Sequence, residues 1–227
     1  VYSGAGPDWQ VAIGWKEHIM KLVVLGANGG TGRNVINAAL AEGMHVTAIV
    51  RAEHKRPQIE HPNLKTIVGD PCDPSFLETV LGGQDALIST LCGRAPTKAA
   101  TAVSYRSAHA IVEAARASGL KRVLVTSTAL LFPAQTLLGQ ILRYLVPNVV
   151  RSADRMERVL KNSGLDWTSA RAGFLNDADQ PGYRAQRNAP PVDGTAVSRS
   201  ALARFLVDAV ENPQTYCAAY GVSTAAA

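Results

Sequence analysis

Seven residues, Gly26-Ala27-Asn28-Gly29-Gly30-Thr31-Gly32, restrict the fold of this chain more than any others. They follow a continuous apolar run, Lys21-Leu22-Val23-Val24-Leu25, of the kind expected of a strand buried on both faces of a parallel sheet. They open a segment, 30–42, in which Val35, Ile36, Ala39 and Leu40 fall at helical spacing before Gly43. Glycines at 26, 29 and 32 allow a tight turn, close approach of backbone to a pyrophosphate, and close packing of helix on strand. The helix start offers free N–H groups and the positive end of a dipole to that anion. Strand, glycine turn and helix in this order make the triplet a dinucleotide-binding signal, with Gly26, Asn28, Gly29, Gly30, Thr31, Gly32 and Arg33 as its residues. The GK[ST] ending of a triphosphate-binding loop is absent.

The pattern then repeats. Strands are expected over 45–50, 65–68, 86–89, 122–127 and 167–170, with a final one over 218–222. Helices are expected over 75–81, 103–118 and 137–162, the last interrupted at Pro147. Gly119 and Gly164 fall where helix C-caps belong. Leu202, Phe205, Leu206, Ala209 and Val210 form one helical face behind a candidate N-cap, Ser198. Alternation of this kind predicts an α/β fold: a single Rossmann-type doubly wound parallel sheet with helices on both faces. Ligands of such sheets bind beyond the C-terminal strand ends, so the residues just after each strand are the ones to question. Residues 20–227 read as that one domain, with 171–195 an irregular substrate-side flap. Residues 1–19 lack this periodicity and the layout of a secretory signal; they read as an extension of the domain or an interacting arm.

Composition narrows the partners. With 227 residues the chain can bury a large core without metal or disulfide, and its three cysteines, Cys72, Cys92 and Cys217, are too dispersed for a zinc ribbon. No metal site is expected. No apolar run approaches the ~18 residues of a membrane span, which leaves a cytoplasmic, reducing compartment as the expectation. The formal charge is +5. Its tightest cluster, Arg51-Ala52-Glu53-His54-Lys55-Arg56, follows the second strand, and no aromatics interleave with the cations as in a nucleic-acid platform. At the end of that strand an acidic residue usually holds the ribose hydroxyls of NAD. Arg51 and Lys55 stand there instead, and a guanidinium binds a 2′-phosphate through two parallel hydrogen bonds. The cofactor expected is NADP(H), and the partner a small molecule, not nucleic acid.

The GxxGxxG spacing, with Val68-Gly69-Asp70, Val125-Thr126-Ser127-Thr128, and Ser163-Gly164-Leu165-Asp166-Trp167-Thr168 followed by Arg171-Ala172-Gly173-Phe174-Leu175, resembles the atypical short-chain dehydrogenase/reductases. Within them it is most similar to the biliverdin-IXβ reductase/flavin reductase group. The resemblance implies adenine contact at Asp70, passage of the ribose and nicotinamide along Leu91, Cys92, Gly93 and Arg94, and cofactor contacts at Thr126, Gly173 and Phe174. It also implies catalytic hydroxyls at Ser127 and Thr128. The chain departs from the pattern in carrying Ala172 for the proline of the RPG signature and Ala201 for the aspartate of the penultimate helix.

A larger departure concerns the chemistry. Four residues after Tyr2, Tyr105, Tyr144, Tyr183 and Tyr216 stand Gly6, His109, Asn148, Arg187 and Tyr220, so the YxxxK pair is missing. Without it, ketone reduction loses its acid–base group. A flavin, bilin or quinone is a planar electron sink that accepts hydride with water as the proton source, and reduction of such an acceptor is the expected activity. The alternative is a non-enzymatic NADP(H)-binding redox sensor of the NmrA-like type. An epimerase or dehydratase reading suffers from the same missing pair.

Overall fold

The computed structural model describes residues 18–93, 96–133, 137–191, 194 and 196–225. Strand β1 (Lys21–Leu25) lies at the centre of the sheet because each of its two faces finds a separate core. Leu22 and Val24 enter one apolar cluster and Val23 and Leu25 the other, the period-2 alternation of a strand dividing the run between them. Helix α1 (Gly30–Ala41) carries Val35, Ile36, Ala39 and Leu40 into the first cluster.

β2 (His45–Val50) pairs with β1 on one side and with β3 (Leu64–Val68) beyond it. After α2 (Pro74–Leu81), the chain crosses to the other side of β1 as β4 (Ala86–Ser89). Then come α3 (Lys98–Ser118), β5 (Arg122–Thr128), α4 (Leu137–Leu145), α5 (Pro147–Lys161) and β6 (Asp166–Ala172). Two short strands, β7 (Phe174–Asn176) and β9 (Ala196–Ser198), pair with each other, with β8 (Tyr183–Arg187) between them in sequence. The chain closes with α6 (Arg199–Asp208) and β10 (Ala218–Thr224).

The main sheet runs β3-β2-β1-β4-β5-β6-β10-β8, parallel except for β8. Helices α1 and α6 cover one face and α2, α3 and α5 the other. This is the doubly wound Rossmann arrangement, and its switch point lies between β1 and β4.

Two local expectations change. Helix α3 starts at Lys98, not 103, because the Thr97 hydroxyl caps it by accepting from the Ala100 N–H at 3.2 Å. The 171–195 stretch is not irregular throughout: it contains β7 and β8. Exposed β8 escapes detection because an edge strand has one covered side and little need of an apolar face; its Arg184 and Arg187 also discourage further pairing. Arg187 pairs with Tyr220 near the start of β10 and donates to the Gln214 carbonyl at 2.8 Å, which puts it at the strand-start edge of the sheet, away from the ligand edge.

Candidate cofactor site

The glycine turn is built to a tolerance that side chains would break. Gly26 has φ +81°, and a Cβ there would lie 2.6 Å from Thr90 Oγ1. A Cβ at Gly32 would lie 2.3 Å from the Gly26 carbonyl oxygen, so α1 rests directly on the turn. The Gly29 N–H donates to the Gly26 carbonyl at 2.9 Å and closes it. No side chain caps α1, and its first turn holds no acidic residue, so the N–H groups at its start remain available to an anion. Arg33 folds back, donating to the Asn28 carbonyl through Nε and Nη2, both at 3.1 Å.

Beside the turn opens a cleft of about 710 Å³ over the C-terminal ends of β1, β2, β3 and β4. Gly26, Asn28 and Gly29 line it, as do Arg51, Lys55, Asp70, Leu91 and Cys92, all assigned from the sequence. Glu53, the one acidic residue within the 51–56 cluster, is paired with Arg56, which also donates to the Thr66 carbonyl at 2.9 Å. Glu53 is thereby engaged by Arg56, leaving Arg51 and Lys55 as the cluster's cations on the cleft wall. Gly93 packs against α3, where a Cβ would meet Thr101 Cα at 2.8 Å. Gly30, Thr31 and Gly32 stand at the start of α1, beside the cleft. Arg94 lies outside the described residues.

Among the cleft residues that the sequence did not assign are Arg106 and Cys72. Arg106 projects from α3, not from a strand end, and Cys72 follows Asp70 by two positions. Burial pushes the Cys72 thiol up, Asp70 adds to this, and Arg106 and Arg51 oppose it, so both cations lie close enough to act on one sulfur. The Cys72 N–H donates to Asp70 Oδ1 at 2.9 Å. A signal for Arg106 existed only in the helical phase of α3, which says nothing of the cleft until α3 is docked.

Thr126, Ser127 and Thr128 end β5 half-buried, and none of them lines the cleft. Ser127 Oγ donates to Glu157 Oε1 at 2.9 Å, and Thr128 Oγ1 accepts from the Leu130 N–H at 3.2 Å. Glu157, on α5, is 2% exposed and is the hub of a buried network. It accepts from Ser169 Oγ at 2.8 Å, from Arg171 Nε at 2.9 Å and from Arg171 Nη2 at 2.6 Å. Burial alone would raise the Glu157 carboxyl; Arg171, by hydrogen bond and charge, with the two serine hydroxyls, outweighs it and holds the carboxyl below its usual range. The Arg171 guanidinium also covers the Phe132 ring at 4.6 Å. Gly173 and Phe174 follow β6 and are exposed.

Fold and cleft together define a Rossmann-type dinucleotide-binding protein. A family model described as NAD(P)H-binding matches residues 26–213, and the chain belongs to that family. Among curated relatives, the photosystem II assembly factor Ycf39 of Guillardia theta is 32% identical over 159 residues, 69% of this chain and 47% of that protein. Ycf39 of Cyanophora paradoxa is 30% identical over 66% of this chain and 44% of its own length. The chain thus spans about half the length of these relatives. A Veillonella parvula short-chain dehydrogenase/reductase solved with NADP shares the fold at TM-score 0.76 and 23% identity, covering 91% of this chain and 95% of that one. NAD(P)H is the cofactor of the family, and the glycines that a Cβ would jam, with the uncapped start of α1, fit its pyrophosphate. No helix among the described residues is long and apolar enough to cross a membrane.

Proposed function

We propose that the protein is an NADPH-dependent reductase acting on a planar conjugated acceptor of the flavin, bilin or quinone kind. One observation carries this reading: the cleft is cationic at the Arg51–Lys55 end while no tyrosine among the described residues lines it. Tyr183 donates to Asp208 Oδ2 at 3.0 Å and Tyr220 to the Gln214 carbonyl at 2.9 Å, and the Arg122 guanidinium covers the Tyr216 ring. Bound NADPH supplies the hydride. The chain's own residues bind and orient: the turn holds the pyrophosphate, and Arg51 and Lys55 hold the 2′-phosphate. With Ser127 committed to Glu157, Thr128 is the hydroxyl of that pair whose proton is free to meet an acceptor heteroatom. Acceptors that need no strong side-chain acid suit such a site.

A second reading, an NADP(H)-responsive factor without turnover, is favoured by the same lack of a cleft tyrosine and by relatives that are assembly factors. Stopped-flow absorbance with NADPH and FMN, FAD, bilins and quinones separates the two. Oxidation above background with one acceptor supports the reductase. Tight NADPH binding with no oxidation by any acceptor overturns it in favour of the second reading.

A further inference from the structure

Three successive residues at the start of α6 all reach the segment that follows β7. Ser198 Oγ donates to the Gln180 carbonyl at 2.6 Å, and Ser200 Oγ lies 3.2 Å from both the Ala178 carbonyl and the Gln180 N–H. Between them, Arg199 Nη1 meets Asp177 Oδ1 at 2.6 Å. The same arginine reaches the phosphate-binding turn. A Cβ at Gly30 would lie 2.7 Å from Arg199 Cδ and 2.9 Å from its Nε, so the side chain lies in the notch left by this glycine, the first residue of α1.

Electrostatics makes that placement unusual. The positive end of α1 and a guanidinium converge, whereas helix starts favour anions. Asp177 compensates poorly, being 85% exposed, and ion pairs with such carboxylates contribute little. Arg199 itself is only 27% exposed, so its position is set by packing on Gly30 and not by Asp177 alone. A diphosphate at the start of α1 answers both positive groups at once.

We propose that Arg199 is a pyrophosphate-positioning residue that couples cofactor binding to the order of segment 177–182. The inference rests on the phosphate-binding reading of the turn. Its anionic target is common to NADPH and NADH, unlike that of Arg51. When the pyrophosphate fixes Arg199, Asp177 and the two serine contacts hold in place the segment that follows β7.

Calorimetry and amide hydrogen exchange test this. Arg199→Ala should weaken NADPH and NADH by the same factor, about tenfold or more for a charge-assisted hydrogen bond. NADPH should slow exchange at 177–182 in the wild type and not in Arg199→Ala. Asp177→Asn should keep cofactor affinity within about twofold, a change of under half a kcal/mol, and lessen that protection without abolishing it, since the serine contacts remain, which separates fastening from binding. Unchanged affinity for both cofactors in Arg199→Ala, or protection that survives it, overturns the inference. If Arg199→Ala fails to fold by circular dichroism, Arg199→Gln keeps the stem on Gly30 and must show the same paired loss. A wild type that binds neither cofactor removes the reading of the turn itself, an outcome distinct from losing only the role of Arg199.

Discussion

Glu157 offers the sharpest test of how the site is supported. Its carboxylate accepts four hydrogen bonds, two from Arg171 and one each from Ser127 and Ser169, and ties α5 to the ends of β5 and β6. Glu157→Gln keeps the shape and removes the charge, leaving Arg171, 12% exposed, without its counterion. Removing one partner of a buried pair costs about 3–5 kcal/mol. At roughly 2–4 °C per kcal/mol for a chain of this size, Tm should fall by about 6–20 °C. Replacing both charges, as Glu157→Leu with Arg171→Met, should restore much of the loss, since buried pairs often yield to apolar packing without penalty. The Ser127 and Ser169 hydroxyls would then lack their acceptor, at about 1–3 kcal/mol each if no water replaces it, so recovery should be incomplete. Urea denaturation of the wild type, Glu157→Leu, Arg171→Met and the double mutant gives the double-mutant cycle. A single-mutant loss under about 1 kcal/mol, or a double mutant as unstable as the two singles summed, refutes the argument.

The pH dependence follows from the same group. The folded carboxyl is held below its unfolded value near 4.3, so its contribution is fully present above that value and is lost as pH falls through the folded pKa. The stability gap between wild type and Glu157→Gln should therefore close in acid, below about pH 4; a gap that persists unchanged to pH 2 contradicts it. Arg51→Ala should weaken NADPH by about tenfold or more while sparing NADH, measured by calorimetry; equal weakening shows that Arg51 does not read the 2′-phosphate. Gly32→Ala drives a Cβ to 2.3 Å from the Gly26 carbonyl and should weaken both cofactors together; undiminished affinity rules out the packing of α1 on the turn. Arg122, buried, donates to the Val210 and Asp166 carbonyls and to Thr168 and Thr215, and burial lowers its pKa to about 10. Arg122→Ala strands those neutral acceptors, at about 1–3 kcal/mol for each left without a donor, and should destabilise the protein in urea unfolding; a loss within about 1 kcal/mol of zero would show that water replaces it.

The glycine turn and the strands around it were legible in sequence because their constraints are local. Gly29 and Gly32 answer to the Gly26 carbonyl a few residues away and Gly26 to its own positive φ, and Leu22 to Leu25 state their two-sided burial by being apolar throughout. Arg51 was legible for a related reason: its place at the end of β2 follows from the strand alone. Ser198 declared its capping role in the same way, accepting from the Ala201 N–H at 3.0 Å.

What the tertiary structure decided is which side chains meet across elements. Ser127 belongs to a hydroxyl-bearing segment by sequence, yet its partner is Glu157, thirty residues away on α5, and no periodicity announces that bond. Arg106 joins the cleft only because α3 docks over the ends of β1 and β4, and Arg199 reaches Gly30 only because α6 packs on α1. β8 is polar and exposed, so its strand character comes from hydrogen bonds to β10 and not from its own residues. Local sterics and burial patterns are written along the chain; pairings between distant charges arise only when packed elements bring them within a few ångströms.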